Sequence, residues 1–81
     1  MRLDKYLKVS RIIKRRTVAN DACDGGHVCI NGKVAKPGAE VKIGDVLEIR
    51  FGDRASRYEV LSISEHAPKA EAADMYRTLN P

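Results

Sequence analysis

Lys14-Arg15-Arg16-Thr17-Val18-Ala19-Asn20-Asp21-Ala22-Cys23-Asp24-Gly25-Gly26-His27-Val28-Cys29-Ile30-Asn31-Gly32 is the stretch on which the fold turns. Val18, Ala19, Ala22 and Cys23 recur at the spacing of one helix face, the signature of a buried stripe. Thr17 is placed to cap that helix, since a hydroxyl there accepts from an otherwise orphan N–H. Gly25-Gly26 ends it with residues that tolerate a left-handed turn. His27-Val28-Cys29-Ile30 then alternates as a short strand, and Asn31-Gly32 is the favoured centre of a type I′ hairpin. A basic triplet therefore stands just before a helix amino terminus, where the dipole and unpaired N–H groups also favour an anion.

Toward the amino terminus, Leu3, Tyr6, Leu7 and Ser10 share one face of a predicted helix over residues 2–9, with Arg2, Asp4, Lys5 and Lys8 elsewhere on the wheel. Val9, Ile12 and Ile13 supply apolar anchors through the connection between the two helices. Downstream, Lys33-Val34-Ala35 returns as a partner strand until Pro37-Gly38 breaks it. Val41-Lys42-Ile43 leads into a turn at Gly44-Asp45, a strand follows over 46–51, and Gly52-Asp53 turns into another over 58–63. After Pro68, Ala72, Met75, Tyr76 and Leu79 repeat at helical spacing, with Glu71, Asp74 and Arg77 facing away. The expected architecture is α+β: two N-terminal helices on a small, mostly antiparallel sheet, with a short C-terminal helix. Residues 1–67 form the expected domain, with a core motif over about 1–50, and 68–81 form a helical tail.

Charge narrows the function. The chain has 81 residues, 15 basic against 11 acidic, for a net charge of +4. Residues 1–16 hold seven basic groups and one acid, so the remainder of the chain is slightly acidic. A one-sided positive field attracts phosphate backbones and says little about fold. A domain this short buries only roughly 60% of its unfolded surface, which leaves little room for a deep substrate cleft beside a core. No apolar run approaches the ~20 residues needed to span a bilayer, and Met1-Arg2-Leu3-Asp4-Lys5 is not followed by the apolar region of a secretion signal. Two cysteines are too few for a disulfide scaffold, so a cytoplasmic home is expected.

Catalytic chemistry finds no foothold. Cys23, His27 and Cys29 are close in sequence, but their spacing does not fit a zinc knuckle and a fourth ligand is missing. Neither His27 nor His66 stands in a nucleophile–base–orienter pattern, and no phosphate-cradling glycine loop is present. The reading is a binder that is not an enzyme, with no metal and no cofactor.

In order, the basic amphipathic helix, the basic segment leading into a second helix, the Gly-Gly stop, Val28-Cys29-Ile30-Asn31-Gly32-Lys33 and Val41-Lys42-Ile43-Gly44-Asp45-Val46 resemble the S-four-like RNA-binding domain, also called the alpha-L motif. The resemblance covers about residues 1–50. Within that family, Arg2-Leu3-Asp4-Lys5-Tyr6-Leu7-Lys8, Arg11-Ile12-Ile13-Lys14-Arg15-Arg16-Thr17 and Glu71-Ala72-Ala73-Asp74-Met75-Tyr76 look closest to a stand-alone group, the RqcP type of bacterial ribosome-associated quality control, related to the small heat-shock ribosome-binding protein. The resemblance implies binding to stalled large ribosomal subunits that carry peptidyl-tRNA, through large-subunit rRNA and the P-site tRNA, in support of RqcH-dependent alanine tailing, by a monomer. It implies an RNA-binding set of Arg2, Asp4, Lys5, Lys8, Arg11, Lys14, Arg15, Arg16 and Thr17, with Asp4 orienting a neighbouring arginine or taking part in the site itself; a favourable charge in its helix's first turn is the purely structural reading of the same residue. A heat-shock-type or ribosome-assembly RNA-binding protein, or an adaptor using the sheet and last helix, are the alternative readings.

Overall fold

A computed structural model describes residues 1–79 of the chain. Helix α1 spans Leu3–Val9 and α2 spans Arg16–Asp24. Strands β1 (Val28–Ile30), β2 (Lys33–Val34), β3 (Val46–Phe51), β4 (Arg54–Val60) and β5 (Tyr76–Thr78) form one antiparallel sheet in the order β2-β1-β3-β4-β5. A short helix α3, Lys69–Ala72, and a 3-10 turn, Ala73–Met75, precede the last strand.

The strand alternation decides which sheet face is covered. Val28 pairs with Ile49, and Ile30 with Leu47, so these four side chains point one way. Leu3, Tyr6 and Leu7 of α1 and Ala19, Ala22 and Cys23 of α2 close over that face, joined by Val41, Val60 and Met75. Cys29, Glu48 and Arg57 lie across the strands on the other face, which no helix among the described residues covers. The result is two layers around one core.

The amino end of α1 is pinned by a loop. The Leu3 N–H donates to the Ala39 carbonyl at 2.8 Å and the Asp4 N–H to the Pro37 carbonyl at 3.1 Å. The Lys5 N–H donates to the Asp4 carboxylate at 2.8 Å. The first-turn donors of the helix are thus satisfied without a capping side chain at Arg2. The Pro37-Gly38 segment that stops β2 is the segment that seats α1.

The Asn31-Gly32 hairpin forms as expected: φ is 52° at Asn31 and 85° at Gly32, the double left-handed geometry of a type I′ turn. The Asn31 side chain also accepts from the Val46 N–H at 2.9 Å and donates to Asp45 at 3.1 Å, tying the turn to the start of β3.

Three expectations need correction. The strand read over 58–63 starts at Arg54 and ends at Val60. The two-residue loop Gly52-Asp53 sets Phe51 opposite Arg54, and pairing runs through a polar stretch that hydrophobic alternation could not reveal. Thr17 does not cap α2; Arg15 holds the cap position in extended backbone and Arg16 is already helical. The helix read through Ala72, Met75, Tyr76 and Leu79 is confined to Lys69–Ala72, and Tyr76–Thr78 instead pairs with β4 along the sheet edge. An edge strand offers the segment a full row of backbone partners, which outweighs the weak pull of so short a helix. Asn80 and Pro81 lie outside the described residues.

The two ends of the chain meet at one hydrogen bond. The buried Tyr6 hydroxyl donates to the Met75 carbonyl at 2.7 Å, and the same carbonyl receives the Leu61 N–H at 2.8 Å. Burial, with the neighbouring Tyr76, raises the Tyr6 hydroxyl's pKa far above the ordinary phenol value, so it stays a donor. Replacing Tyr6 by Phe is expected to lower unfolding stability by about 0.5–1.5 kcal/mol, the usual net value of one such bond. Urea denaturation measures this, and hydrogen exchange should show the loosening concentrated at Leu61 and the residues of β5.

Candidate nucleic-acid interface

Where α1 and α2 begin, one carboxylate organises two arginines. Asp4 is only 2% exposed. Its Oδ1 accepts from Arg2 Nε at 3.2 Å and from the Lys5 N–H, and its Oδ2 accepts from Arg2 Nη2 at 3.3 Å and Asn20 Nδ2 at 3.3 Å. Arg16 Nε lies 3.6 Å from the same Oδ2. Burial pushes the Asp4 carboxyl upward, but the hydrogen bonds from Arg2, Asn20 and the Lys5 N–H, with the Arg16 charge, outweigh it and hold its pKa below 3.8. Both arginine side chains keep about half their surface in water, 56% for Arg2 and 50% for Arg16. Each guanidinium is anchored by one edge and presents the rest of its donors outward, a geometry suited to phosphate. Of the roles open to Asp4, the structure shows the first-turn charge and the orienting of an arginine.

Thr17 and Asp21 join Asp4, Arg16 and Asn20 around a shallow hollow at this corner. A second hollow lies at the other end of α1, lined by Lys8, Arg11, Lys14, Glu65 and His66. The helix between them has seven residues, so the hollows are separated by roughly 10 Å of helix at ~1.5 Å per residue. Lys5 turns toward Glu65, at 3.5 Å, and does not join the arginine pair. Arg15 is exposed at the helix cap and lines neither hollow.

Arg11 has an uncommon backbone. It follows α1 with φ of 63°, the left-handed conformation that glycine usually supplies at a helix end. Its N–H donates to the Lys8 carbonyl at 3.1 Å, the Ile13 N–H reaches the Leu7 carbonyl at 3.1 Å, and Ile12 and Ile13 pack on the core. These bonds impose the conformation on a residue that resists it.

Three arginines of the sheet, Arg50, Arg57 and Arg77, are treated differently. On the uncovered sheet face Glu48 pairs with Arg57 at 3.1 Å and Arg50 at 2.9 Å, and these arginines hold its carboxyl below the ordinary glutamate range. Glu59 is paired with Arg77. By contrast Lys8, Arg11, Lys14 and Arg15 have no ion pair among the described residues. The net positive field is therefore concentrated on α1, its following loop and the start of α2.

Sequence reading missed Asn20, Glu65 and His66. Asn20 was findable, since four residues after Arg16 it must share that helix face. Glu65 and His66 reach the basic loop only through the long return of the chain after β4, which carries no local signal. Cys23 belongs to the core; burial first, then the charges of Asp4 and Asp24, push its thiol up to about 11. It behaves as a small apolar group.

Two helices with cationic starts, laid on one face of an antiparallel sheet, make up the S4 domain; the chain matches that family over residues 1–47 and belongs to it. It is 52% identical over 79 residues to the RQC P-site tRNA stabilizing factor of Listeria innocua, covering 98% of this chain and 86% of the relative. The Bacillus subtilis protein of the same name is 49% identical over 79 residues, covering 98% and 92%. Among solved structures, the trimeric heat shock protein 15 of Vibrio cholerae superposes with a TM-score of 0.87 at 35% identity, covering 98% of this chain and 81% of that one.

Two outcomes follow from the geometry. Asp4→Asn is expected to lower stability at neutral pH by about 1.5–3 kcal/mol, the range for hydrogen bonds to a charged group. Because the folded-state carboxyl is held below its unfolded value of 3.8, its stabilisation is present above that pH and disappears as the pH falls through the lower folded value. The Asn variant's stability curve should therefore be flatter below pH 4 than the parent's, as measured by denaturation at a series of acid pH values. Arg11→Gly, in contrast, is expected to leave stability unchanged or raise it by up to about 1 kcal/mol, since glycine accepts the left-handed backbone.

Proposed function

We propose that this chain is a non-catalytic RNA-binding factor of ribosome-associated quality control. It stabilises P-site tRNA on large ribosomal subunits obstructed by peptidyl-tRNA, contacts large-subunit rRNA, and supports RqcH-dependent C-terminal alanine tailing of stalled nascent chains. The relatives that share about half their residues with nearly the whole chain carry the corresponding name. The single observation that carries the reading to atoms is the Asp4-held pair, Arg2 and Arg16, with half of each side chain turned to solvent.

In this reading Arg2 and Arg16 take phosphates at the helix starts, and Lys8, Arg11, Lys14 and Arg15 continue the track around α1. Thr17 adds a hydroxyl in the first turn of α2, and Lys5 contributes charge beside Glu65. Folded RNA is recognised largely through shape and backbone, so guanidiniums in fixed positions suffice and no bond is made or broken. The site of action is cytoplasmic; among the described residues no helix is long and apolar enough to cross a membrane.

The likeness to heat shock protein 15 supports a second reading, a heat-shock-type or assembly RNA-binding protein. Affinity purification separates the two. The first reading requires tRNA to co-purify with large-subunit RNA, whereas an assembly factor follows immature particles without tRNA.

Arg16→Ala is expected to reduce association with such subunits at least tenfold while circular dichroism stays unchanged; an unfolded variant would make Arg16 structural. If about five phosphates are contacted, log affinity should fall against log salt with a slope of roughly −3.5 to −4.5, and by about one unit less in Arg16→Ala. A binding curve indifferent to salt overturns the phosphate track.

A further inference from the structure

Beyond the cationic track lies an exposed pair of rings that the phosphate reading does not use. His27, just before β1, stacks on Phe51 at the end of β3, with ring centroids 5.8 Å apart and planes inclined by 19°. Phe51 is 52% exposed, and His27 is exposed as well. The site is shaped by its surroundings. Gly25 lies so close that a Cβ there would stand 2.8 Å from the imidazole Cδ2, so only glycine leaves the ring its place. Arg54 sits directly across the β3–β4 hairpin from Phe51 and has no ion pair among the described residues.

Phe51 and Arg54 share a hollow of about 260 Å³ with Ile12 and Ile13. That is below the roughly 300–1,000 Å³ of small-molecule sites, and suits one flat group rather than a whole ligand. Among the described residues no carboxylate lines it; Asp53 stands at the turn between Phe51 and Arg54. Ile12 and Ile13 are flanked in the chain by Arg11 and Lys14, so the aromatic hollow adjoins the basic loop. A flat apolar surface bordered by unpaired cations complements a nucleobase attached to a phosphate chain, and base stacking on exposed aromatics and histidines is how unpaired RNA is commonly held.

We propose that the Phe51–His27 pair, bordered by Arg54, is a stacking platform for one unpaired base of the bound RNA, next to the phosphate track of α1. The inference rests on the RNA-binding reading and adds to it a preference for RNA with an unstacked nucleotide. The platform needs no sequence readout, since every base has a π-face.

The test compares two RNA hairpins of equal charge, one fully paired to its end and one with a short single-stranded overhang bearing 2-aminopurine. The protein is expected to bind the overhang hairpin more tightly and to change the 2-aminopurine fluorescence. Phe51→Ala should weaken overhang binding by about fivefold to a hundredfold, the range set by stacking one base, and leave the paired hairpin unaffected. Phe51→Trp should retain both the affinity and the fluorescence change, and Arg54→Gln should lose part of the overhang preference. Unchanged overhang binding in Phe51→Ala, with Arg16→Ala still defective, overturns the platform while leaving the phosphate track standing. Equal weakness of the parent protein and Arg16→Ala for both hairpins overturns the RNA-binding reading itself, and the platform with it.

Discussion

A carboxylate buried at the junction of two helices is costly unless its lone pairs are filled and its charge is met. Asp4 satisfies both conditions: Arg2, Asn20 and the Lys5 N–H fill the lone pairs, and Arg2 with Arg16 meets the charge. The constraint runs in both directions. To keep Asp4 ionised, α1 and α2 must place their amino ends side by side, and the arginines must stay at the rim where they can also reach solvent. The electrostatic requirement of a single buried group therefore fixes the relative placement of the helices and the direction in which their cations point.

That arrangement needs support from behind, because a seven-residue helix is not stable by itself. The support comes from two segments far from it in sequence. The loop at Pro37 and Ala39 accepts from the first N–H groups of α1, and Met75 accepts from Tyr6 on its inner face. The β-strand adopted by Tyr76–Thr78 keeps Met75 in place. The short C-terminal segment is thereby linked to the cationic surface through one tyrosine, although it contributes no charge to that surface.

Features set by neighbours in the chain were legible without coordinates. The buried stripe of α2, the Asn31-Gly32 turn and the concentration of cations in the first sixteen residues each depend on local spacing or simple counting. Features set by partners far away in sequence were not. Tyr76–Thr78 has helical periodicity and is nevertheless a strand, because β4 offered an unpaired edge. Arg54–Arg57 lacks alternation and is nevertheless paired, because the two-residue turn before it fixed the register. In the same way the cations could be counted, but which of them were free could not. Glu48 and Glu59 pair with Arg50, Arg57 and Arg77, and the pairings with Arg57 and Arg77 depend on cross-strand register.

The left-handed Arg11 shows how the surface is tuned against stability. A glycine there would relieve the backbone, and the helix would end as well or better. Arginine at that position costs roughly 1–2 kcal/mol of conformational energy, and it also crowds a charge between Lys8 and Lys14. Both costs are carried in the free protein, and an anion held among these three side chains relieves the second of them. Such mutual repulsion, offset in part by Glu65 in the same hollow, is of the kind that several linked phosphates relieve together better than isolated counter-ions do. The strain at Arg11 and the unpaired state of its neighbours are thus kept in place by the same two anchors, Ile12 and Ile13 on the core.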